Sequence, residues 1–198
     1  MTDLEALGRI GPNAIIRTVE ALRETLGSAR TAALLRDAGL DGYERELPHE
    51  MVAESEVTAL FAAIYRELGN YAARDIARSS GERTADYLLA NRIPKAAQTA
   101  LKVLPASLAS RGLLAAIRGN TWTFAGSSTV VMTDGRPALV SFTGCPLCRG
   151  ASSPTSVCEY YAATFERLYR VLVHPGASAS EISCCAAGGP ACTIEIRY

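Results

Sequence analysis

The feature that most constrains this 198-residue sequence is the position of its six cysteines. All six follow residue 144, and the first 144 residues contain none. Their positions are Cys145, Cys148, Cys158, Cys184, Cys185 and Cys192. Without a secretory signal, metal binding or thiolate chemistry explains such a cluster better than disulfides do. The C-terminal part is therefore expected to bring distant thiols together at one site.

Composition and the N-terminus narrow the class of protein. Residues 1–13 lack the basic start and the apolar core of a signal peptide. No apolar run approaches the roughly 20 residues that span a bilayer. Lys plus Arg and Asp plus Glu each total 20, and no long basic run is present. The sequence therefore predicts a cytoplasmic protein with no membrane span and no nucleic-acid partner.

Helical periodicity dominates residues 1–118. One stripe is formed by Ile15, Val19 and Leu22, and another by residues 57–68, which Gly69 closes. The helices are predicted at about 15–26, 28–37, 57–68, 71–90, 94–104 and 106–117, with room for an interruption near 79–81. Pro105 separates the last two helices because proline breaks the helical hydrogen-bond ladder.

The periodicity changes after residue 118. Trp122 and Phe124 alternate with threonines, which predicts a strand. The later elements are a hairpin of residues 130–133 and 138–142 around Asp134-Gly135, a helix over 157–172 and a last strand over 194–198. The fold class is therefore α+β, in one domain spanning 1–198. A helical N-terminal layer (1–118) packs on a small antiparallel sheet with one inserted helix (119–198).

Four side chains are candidates for a shared metal site. Cys158 opens the inserted helix, Glu181 ends a strand, and Cys184 and Cys192 follow. On a regular strand Glu181 and Cys184 would face opposite sides, so a shared ion requires the chain to bend after Ser183. Three thiolates and a carboxylate can complete a closed tetrahedral zinc shell, and a closed shell is structural.

The remaining cysteines allow several interpretations. Cys145 and Cys148 form a CxxC motif, and Cys185 is adjacent to Cys184. These three thiols could be further metal ligands or a redox pair. They could also be buried cysteines that pack as small apolar side chains. Their spacing does not choose among these alternatives.

The order of these residues resembles a known family. Cys158 at a helix start, Glu181-Ile-Ser-Cys184, Gly188-Gly189 and Cys192 before a closing strand resemble the 4-vinyl reductase domain family, over about residues 122–198. In related aromatic-sensor domains of transcription activators this spacing holds zinc, so the resemblance implies a structural zinc on Cys158, Glu181, Cys184 and Cys192. The family shares its fold with TRAPP tethering subunits, which dimerise through helices, so a homodimer is expected.

The whole chain resembles the bacteriochlorophyll-biosynthesis branch of that family, to which reduction of a vinyl group on divinyl chlorophyll precursors is ascribed. A reductase needs an electron source, but the sequence has no GxGxxG after a strand and no phosphate-cradling loop. We therefore expect a protein that binds a vinyl magnesium-tetrapyrrole precursor and assists its reduction or delivery, with other pigment-synthesis enzymes as partners. The alternatives are the vinyl reductase itself, or a small-molecule sensor or scaffold module.

A flat apolar ring would require an apolar pocket between the helical layer and the sheet. The candidate lining residues are Phe61, Ile64, Tyr87, Trp122, Phe124, Phe142 and Phe165. Ordinary core packing explains each of them as well. Arg111, Arg118 and Arg136 could pair with a pigment carboxylate, although solvated surface positions explain them equally.

Overall fold

The computed structural model describes residues 8–198. Residues 1–7, part of the N-terminal stretch considered above for a signal sequence, lie outside that range. The helices are α1 (Asn13–Leu26), α2 (Ser28–Asp37), α3 (Glu54–Asn91), α4 (Lys95–Val103), α5 (Ala106–Arg118) and α6 (Glu159–Leu172). The strands are β1 (Arg9–Ile10), β2 (Val52–Ala53), β3 (Thr129–Thr133), β4 (Ala138–Thr143), β5 (Ser178–Ser183) and β6 (Cys192–Arg197).

The helices lie where the apolar periodicity predicts them. α3 combines two predicted helices across a kink at Gly69, whose φ of 71° is a left-handed conformation that glycine adopts without strain. The interruption considered near residues 79–81 does not occur, because α3 is continuous there. Within the described part of the chain, no helix is long and apolar enough to cross a membrane.

The main sheet is antiparallel, with strand order β3-β4-β6-β5. The hairpin predicted around Asp134-Gly135 is confirmed as β3 and β4. The strand predicted at Trp122 and Phe124 is wrong, because residues 121–123 form a short 3-10 helix. The Thr123 hydroxyl donates to the carbonyl of Asn120 (2.7 Å), and such local side-chain bonds favour a turn over a strand.

Helix α6 is the centre of the molecule. It packs against α3 on one side and against β5 and β6 on the other, and α1 packs on α3. Seven consecutive residues, Tyr160 to Glu166, are buried. The confirmed α+β architecture is therefore layered, with the inserted helix joining the N-terminal helices to the sheet.

Glycine allows α3 and α6 to approach closely. A Cβ atom on Gly81 would lie 2.2 Å from the carbonyl oxygen of Tyr160 and 2.9 Å from the Cβ of Ala163. The Thr164 hydroxyl donates to the carbonyl of Gly81 (3.1 Å) across the same contact. Only a residue without a side chain permits this separation of the two backbones.

Charged residues bind the same two helices and the sheet together. The Arg78 guanidinium contacts Glu159 (2.9 Å) and Glu166 on α6. Glu166 is 5% exposed and also accepts the backbone N–H of Ala179 on β5 (3.0 Å). One buried carboxylate thus bonds to α3 and β5 from α6, which fixes the direction of α6 across the sheet.

Candidate metal centre

A β-bulge brings Glu181 and Cys184 to the same face of the sheet. Glu181 pairs with Ile194 and Ser183 pairs with Thr193, so Ile182 is an extra residue in β5. The extra residue restores an even alternation between Glu181 and Cys184. The predicted bend after Ser183 is therefore wrong in place, because the irregularity lies one residue earlier.

Cys158 and Cys192 complete the group from two other elements. Cys158 is the residue that precedes the first turn of α6, and Cys192 begins β6. The Cys158 backbone N–H donates to Glu181 Oε2 (2.8 Å), and the Cys185 N–H donates to Cys192 Sγ (3.3 Å). One ligand atom from each of Cys158, Glu181, Cys184 and Cys192 lies within 4.8 Å of the others.

The environment of Glu181 fits a metal ligand. Its Oε2 accepts the Cys158 N–H, whereas its Oε1 is buried without a hydrogen-bond partner. Burial raises the pKa of Glu181 to about 8, because a charged carboxylate is poorly solvated there. A cation beside Oε1 would supply the missing partner, and three thiols with one carboxylate match the donors that zinc prefers.

The thiols of the centre share protons with one another. Hydrogen bonds with Cys148 and Cys158 lower the pKa of Cys184 to about 6. Hydrogen bonds with neighbouring thiols, Cys145 first, lower the pKa of Cys192 to about 6 and raise that of Cys158. Some thiols are thus protonated at neutral pH in the metal-free cluster, and metal binding releases those protons.

The CxxC motif lies in the loop after β4, next to the same centre. Cys145 and Cys148 are buried, and they form a second group of four with Cys158 and Cys192. Cys185 belongs to neither group, although its backbone supports Cys192. Two cysteines are therefore common to both groups.

A buried ion pair anchors the loop that carries the CxxC motif. Arg149 contacts Glu54, which is 0% exposed, and also donates to the carbonyl of Gly144 (2.6 Å). Glu54 accepts the backbone N–H groups of Gly8 (3.0 Å) and Ser127 (2.8 Å). Burial alone would raise the pKa of Glu54, but the bonds from Ser127, Arg149 and Gly8 lower it overall.

The sequence contains little sign of this support. Glu54 occupies the first turn of α3, where an acidic residue is ordinarily explained by the helix dipole. The only cue is that Arg149 directly follows the CxxC motif. The partnership joins residues 95 positions apart and could be found only in the fold.

Replacing Glu54 with glutamine is expected to lower the free energy of unfolding by about 2–3 kcal/mol, because buried bonds to a charged group are lost. Chemical denaturation followed by circular dichroism measures this change. Glu50→Gln, at an exposed position in the preceding loop, is the matched control and should leave the midpoint unchanged. An unchanged midpoint in Glu54→Gln would show that the ion pair does not stabilise the loop.

The candidate pocket residues fall into two sets. Five lie in the core on or beside α6: Phe61, Ile64, Phe124, Phe142 and Phe165. Phe142 stacks on Tyr161 at 4.5 Å between ring centroids, and Phe124 and Phe165 contact the same ring. Helix α6 thus occupies the space between the N-terminal helices and the sheet, and its tyrosines pack against the candidate residues.

The other two candidates are separate from this cluster. Trp122 is 60% exposed, and the Tyr87 ring lies under the guanidinium of Arg17 at 4.7 Å. The protein surface also has two concavities of about 340 and 430 Å³. Charged residues from Glu82 to Arg170 line the first, and residues of α1 and α2 with Glu44 line the second.

The α4–α5 hairpin is more loosely packed than the other helices. Of the nine residues of α4 only Gln98 is buried, where its amide donates to the carbonyl of Leu89 (2.6 Å). Val103, Leu104 and Leu108, around the turn of the hairpin, are 77%, 41% and 47% exposed. The inner face of α5 contacts α6, where the hydroxyls of Ser110 and Tyr169 lie 3.0 Å apart.

The C-terminal part of the chain matches a known domain family, and nearly the whole chain has similar relatives. Residues 139–198 match the 4-vinyl reductase (V-4-R) domain. The chain is 39% identical over 189 residues to the bacteriochlorophyll synthase 23 kDa chain of Cereibacter sphaeroides, covering 95% of this chain and 90% of the relative. The Rhodobacter capsulatus protein of that name is also 39% identical over 189 residues, covering 96% and 87%.

Solved structures of H-NOX proteins have a similar fold. An unliganded Fe(II) H-NOX mutant from K. algicida has a TM-score of 0.63 at 11% identity, with 95% of this chain and 96% of that chain covered. A structure from work on heme distortion in the H-NOX family has a TM-score of 0.59 at 12% identity, with 96% and 95% covered. Likeness at this level of identity concerns the fold alone.

Proposed function

The chain belongs to the 4-vinyl reductase domain family, in the group of the bacteriochlorophyll synthase 23 kDa chains, and we propose on this premise that it acts in bacteriochlorophyll biosynthesis. Its role is to bind a vinyl magnesium-tetrapyrrole precursor and to assist the reduction or delivery of that precursor. The observation that carries this proposal is 39% identity over 95% of the chain, because similarity on this scale includes the helical half as well as the C-terminal domain segment.

A structural zinc ion on Cys158, Glu181, Cys184 and Cys192 is part of the proposal. The orphaned carboxylate oxygen of Glu181 and the mutual proximity of the four ligand atoms support it. These residues come from the start of α6, from β5 and its knuckle, and from β6. A closed four-ligand shell would stabilise the junction of α6 with the sheet and leave no open position for catalysis.

The ring is proposed to bind where the α4–α5 hairpin meets α6. The exposed apolar side chains Val103, Leu104 and Leu108 offer a flat contact, and Arg111 lies one turn after Leu108. Movement of the hairpin would give access to α6 at Tyr169 and, one turn earlier, at the candidate residue Phe165. A guanidinium at the rim suits the carboxylate of a pigment precursor.

The likeness to H-NOX proteins is compatible with this proposal. Two of those structures are described in terms of porphyrin or heme distortion, so a fold of this kind can enclose a tetrapyrrole in those proteins. At 11% and 12% identity it adds no information about which residues of this chain contact a ring.

Titration with a magnesium porphyrin, followed by absorbance, is expected to give a saturable spectral shift. Leu108→Asp should weaken binding about tenfold or more, because an apolar contact of roughly 1.5 kcal/mol is replaced by a charge. Val131→Asp is the matched control, since Val131 is 59% exposed on β3 and should leave affinity unchanged. A titration without a shift or saturation would overturn the binding proposal.

The same protein distinguishes binding from turnover. Incubation of a divinyl precursor with the purified chain and NADPH, reduced flavin or reduced ferredoxin is expected to leave the precursor intact. Loss of the divinyl compound would contradict the assisting role and identify the chain as the vinyl reductase. If Leu108→Asp and Val131→Asp bind equally, the ring site lies elsewhere than at the hairpin.

A further inference from the structure

The buried thiols outnumber the ligands that one zinc ion requires. Five cysteines lie in the core around one point, and Cys145 and Cys148 are only 1% and 2% exposed. The four-ligand shell of Cys158, Glu181, Cys184 and Cys192 does not use them. They nevertheless form a second complete group of four with Cys158 and Cys192.

The sulfur separations suit a mononuclear tetrahedral position in this second group. Cys145 Sγ lies 3.6 Å from Cys158 Sγ, Cys148 Sγ lies 3.3 Å from Cys192 Sγ, and the Cys158 and Cys192 sulfurs are 3.7 Å apart. A metal–sulfur bond of about 2.3 Å gives a tetrahedral edge of about 3.8 Å. An iron–sulfur cubane would hold its cysteine sulfurs farther apart, across the width of the cluster.

The two groups together have the number of donors that two tetrahedral ions need. Cys145 and Cys148 are private to one group, Glu181 and Cys184 are private to the other, and two thiolates are shared. If each shared thiolate bridges both ions, four terminal and two bridging donors make eight metal–ligand bonds. Two four-coordinate ions require eight, so every donor is used once or bridges.

We propose that the chain binds two zinc ions in a thiolate-bridged centre. One ion is held by Cys145, Cys148, Cys158 and Cys192, and the other by Cys158, Glu181, Cys184 and Cys192. The second ion deprotonates two further thiols while adding two positive charges, so the net charge of the centre stays at about −2 and burial of the second ion adds no uncompensated charge. Thiolate-rich donor sets favour zinc over magnesium or calcium.

The loop that supplies the second position is already ordered. The CxxC turn is held to α3 by the Thr58 hydroxyl on the carbonyl of Pro146 and by Arg149 on Glu54. The Cys148 N–H closes the turn on the Cys145 carbonyl (3.4 Å). A preorganised pair of thiols loses little conformational freedom on binding an ion.

Native mass spectrometry of the zinc-saturated chain is expected to show two zinc ions. Cys145→Ser/Cys148→Ser should retain one, and the control Cys185→Ser should retain two, because that side chain belongs to neither group. Wild-type protein with one zinc, or a double variant with as many ions as wild type, would overturn the second position. Protein with no zinc would also refute the four-ligand site described under the proposed function.

A measurement on the unaltered chain covers the case in which the double variant fails to fold. Titration of metal-free protein with Co²⁺ should raise the sulfur-to-cobalt charge-transfer absorbance up to two equivalents. Magnetic susceptibility per cobalt should then fall between one and two equivalents, because bridging thiolates couple neighbouring ions. Saturation at one equivalent would contradict the bridged centre.

Discussion

Cys192→Ser is expected to abolish zinc binding and to lower the free energy of unfolding by about 4 kcal/mol or more. Cys192 is 0% exposed and belongs to both groups of potential ligands, so no four-ligand set survives its loss. A ligand present at a thousand times its Kd stabilises the folded state by about 4 kcal/mol, and that contribution disappears with the site. Elemental analysis together with chemical denaturation measures both effects.

Cys185→Ser is the matched control for this variant. Cys185 is adjacent to Cys184 in sequence, but only its backbone N–H contacts the centre. Its serine variant should therefore retain the metal content and the unfolding midpoint of the wild type. If Cys192→Ser and Cys185→Ser behave alike, the geometry of the thiols does not define a metal site.

Gly81→Ala is expected to destabilise the protein by about 3 kcal/mol or more. The new Cβ would lie 2.2 Å from the carbonyl oxygen of Tyr160 and 3.1 Å from the nitrogen of Thr164, and backbone atoms cannot move aside as a side chain can. The higher helix propensity of alanine, worth about 1 kcal/mol, does not offset this overlap. Urea denaturation gives the change in stability.

Gly112→Ala separates the steric effect from the general effect of replacing a helical glycine. The nearest atom to its added Cβ is the flexible Leu101 Cδ2 at 3.2 Å, so its stability should change by no more than about 1 kcal/mol. An unfolding midpoint for Gly81→Ala at or above that of the wild type would contradict the close approach of α3 and α6.

Local patterns predicted most of the secondary structure. The apolar periodicity located α1 through α6, and Asp134-Gly135 located the β3–β4 turn, because these signals depend on neighbouring residues. Trp122 and Phe124 were misread as a strand, since threonine hydroxyls bond to nearby carbonyls and stabilise a turn. Alternation over four residues does not distinguish these outcomes.

The position of α6 could not be read from its sequence. Thr164 and Glu166 give the helix a polar side, which is typical of a helix with one face in solvent. Both are buried, because Gly81 accepts a bond from Thr164 and Arg78 pairs with Glu166. The pattern of one chain segment does not show where its polar partners lie.

The metal centre was only partly predictable. Spacing brought attention to the cysteines, and the family resemblance identified Glu181 as a ligand. The bulge at Ile182, which places Glu181 beside Cys184, depends on pairing with β6 and has no signal in β5 alone. The approach of Cys145 and Cys148 to Cys158 and Cys192 depends on the loop anchored by Glu54, 95 residues from Arg149.

Elemental analysis of the wild-type chain, purified without added metal and shown to be folded, tests the central claim most directly. At least one zinc per chain is expected, retained through extensive buffer exchange and released when the protein unfolds. Fully folded protein that contains no metal and gains no stability from added zinc would contradict a structural metal centre at Cys158, Glu181, Cys184 and Cys192.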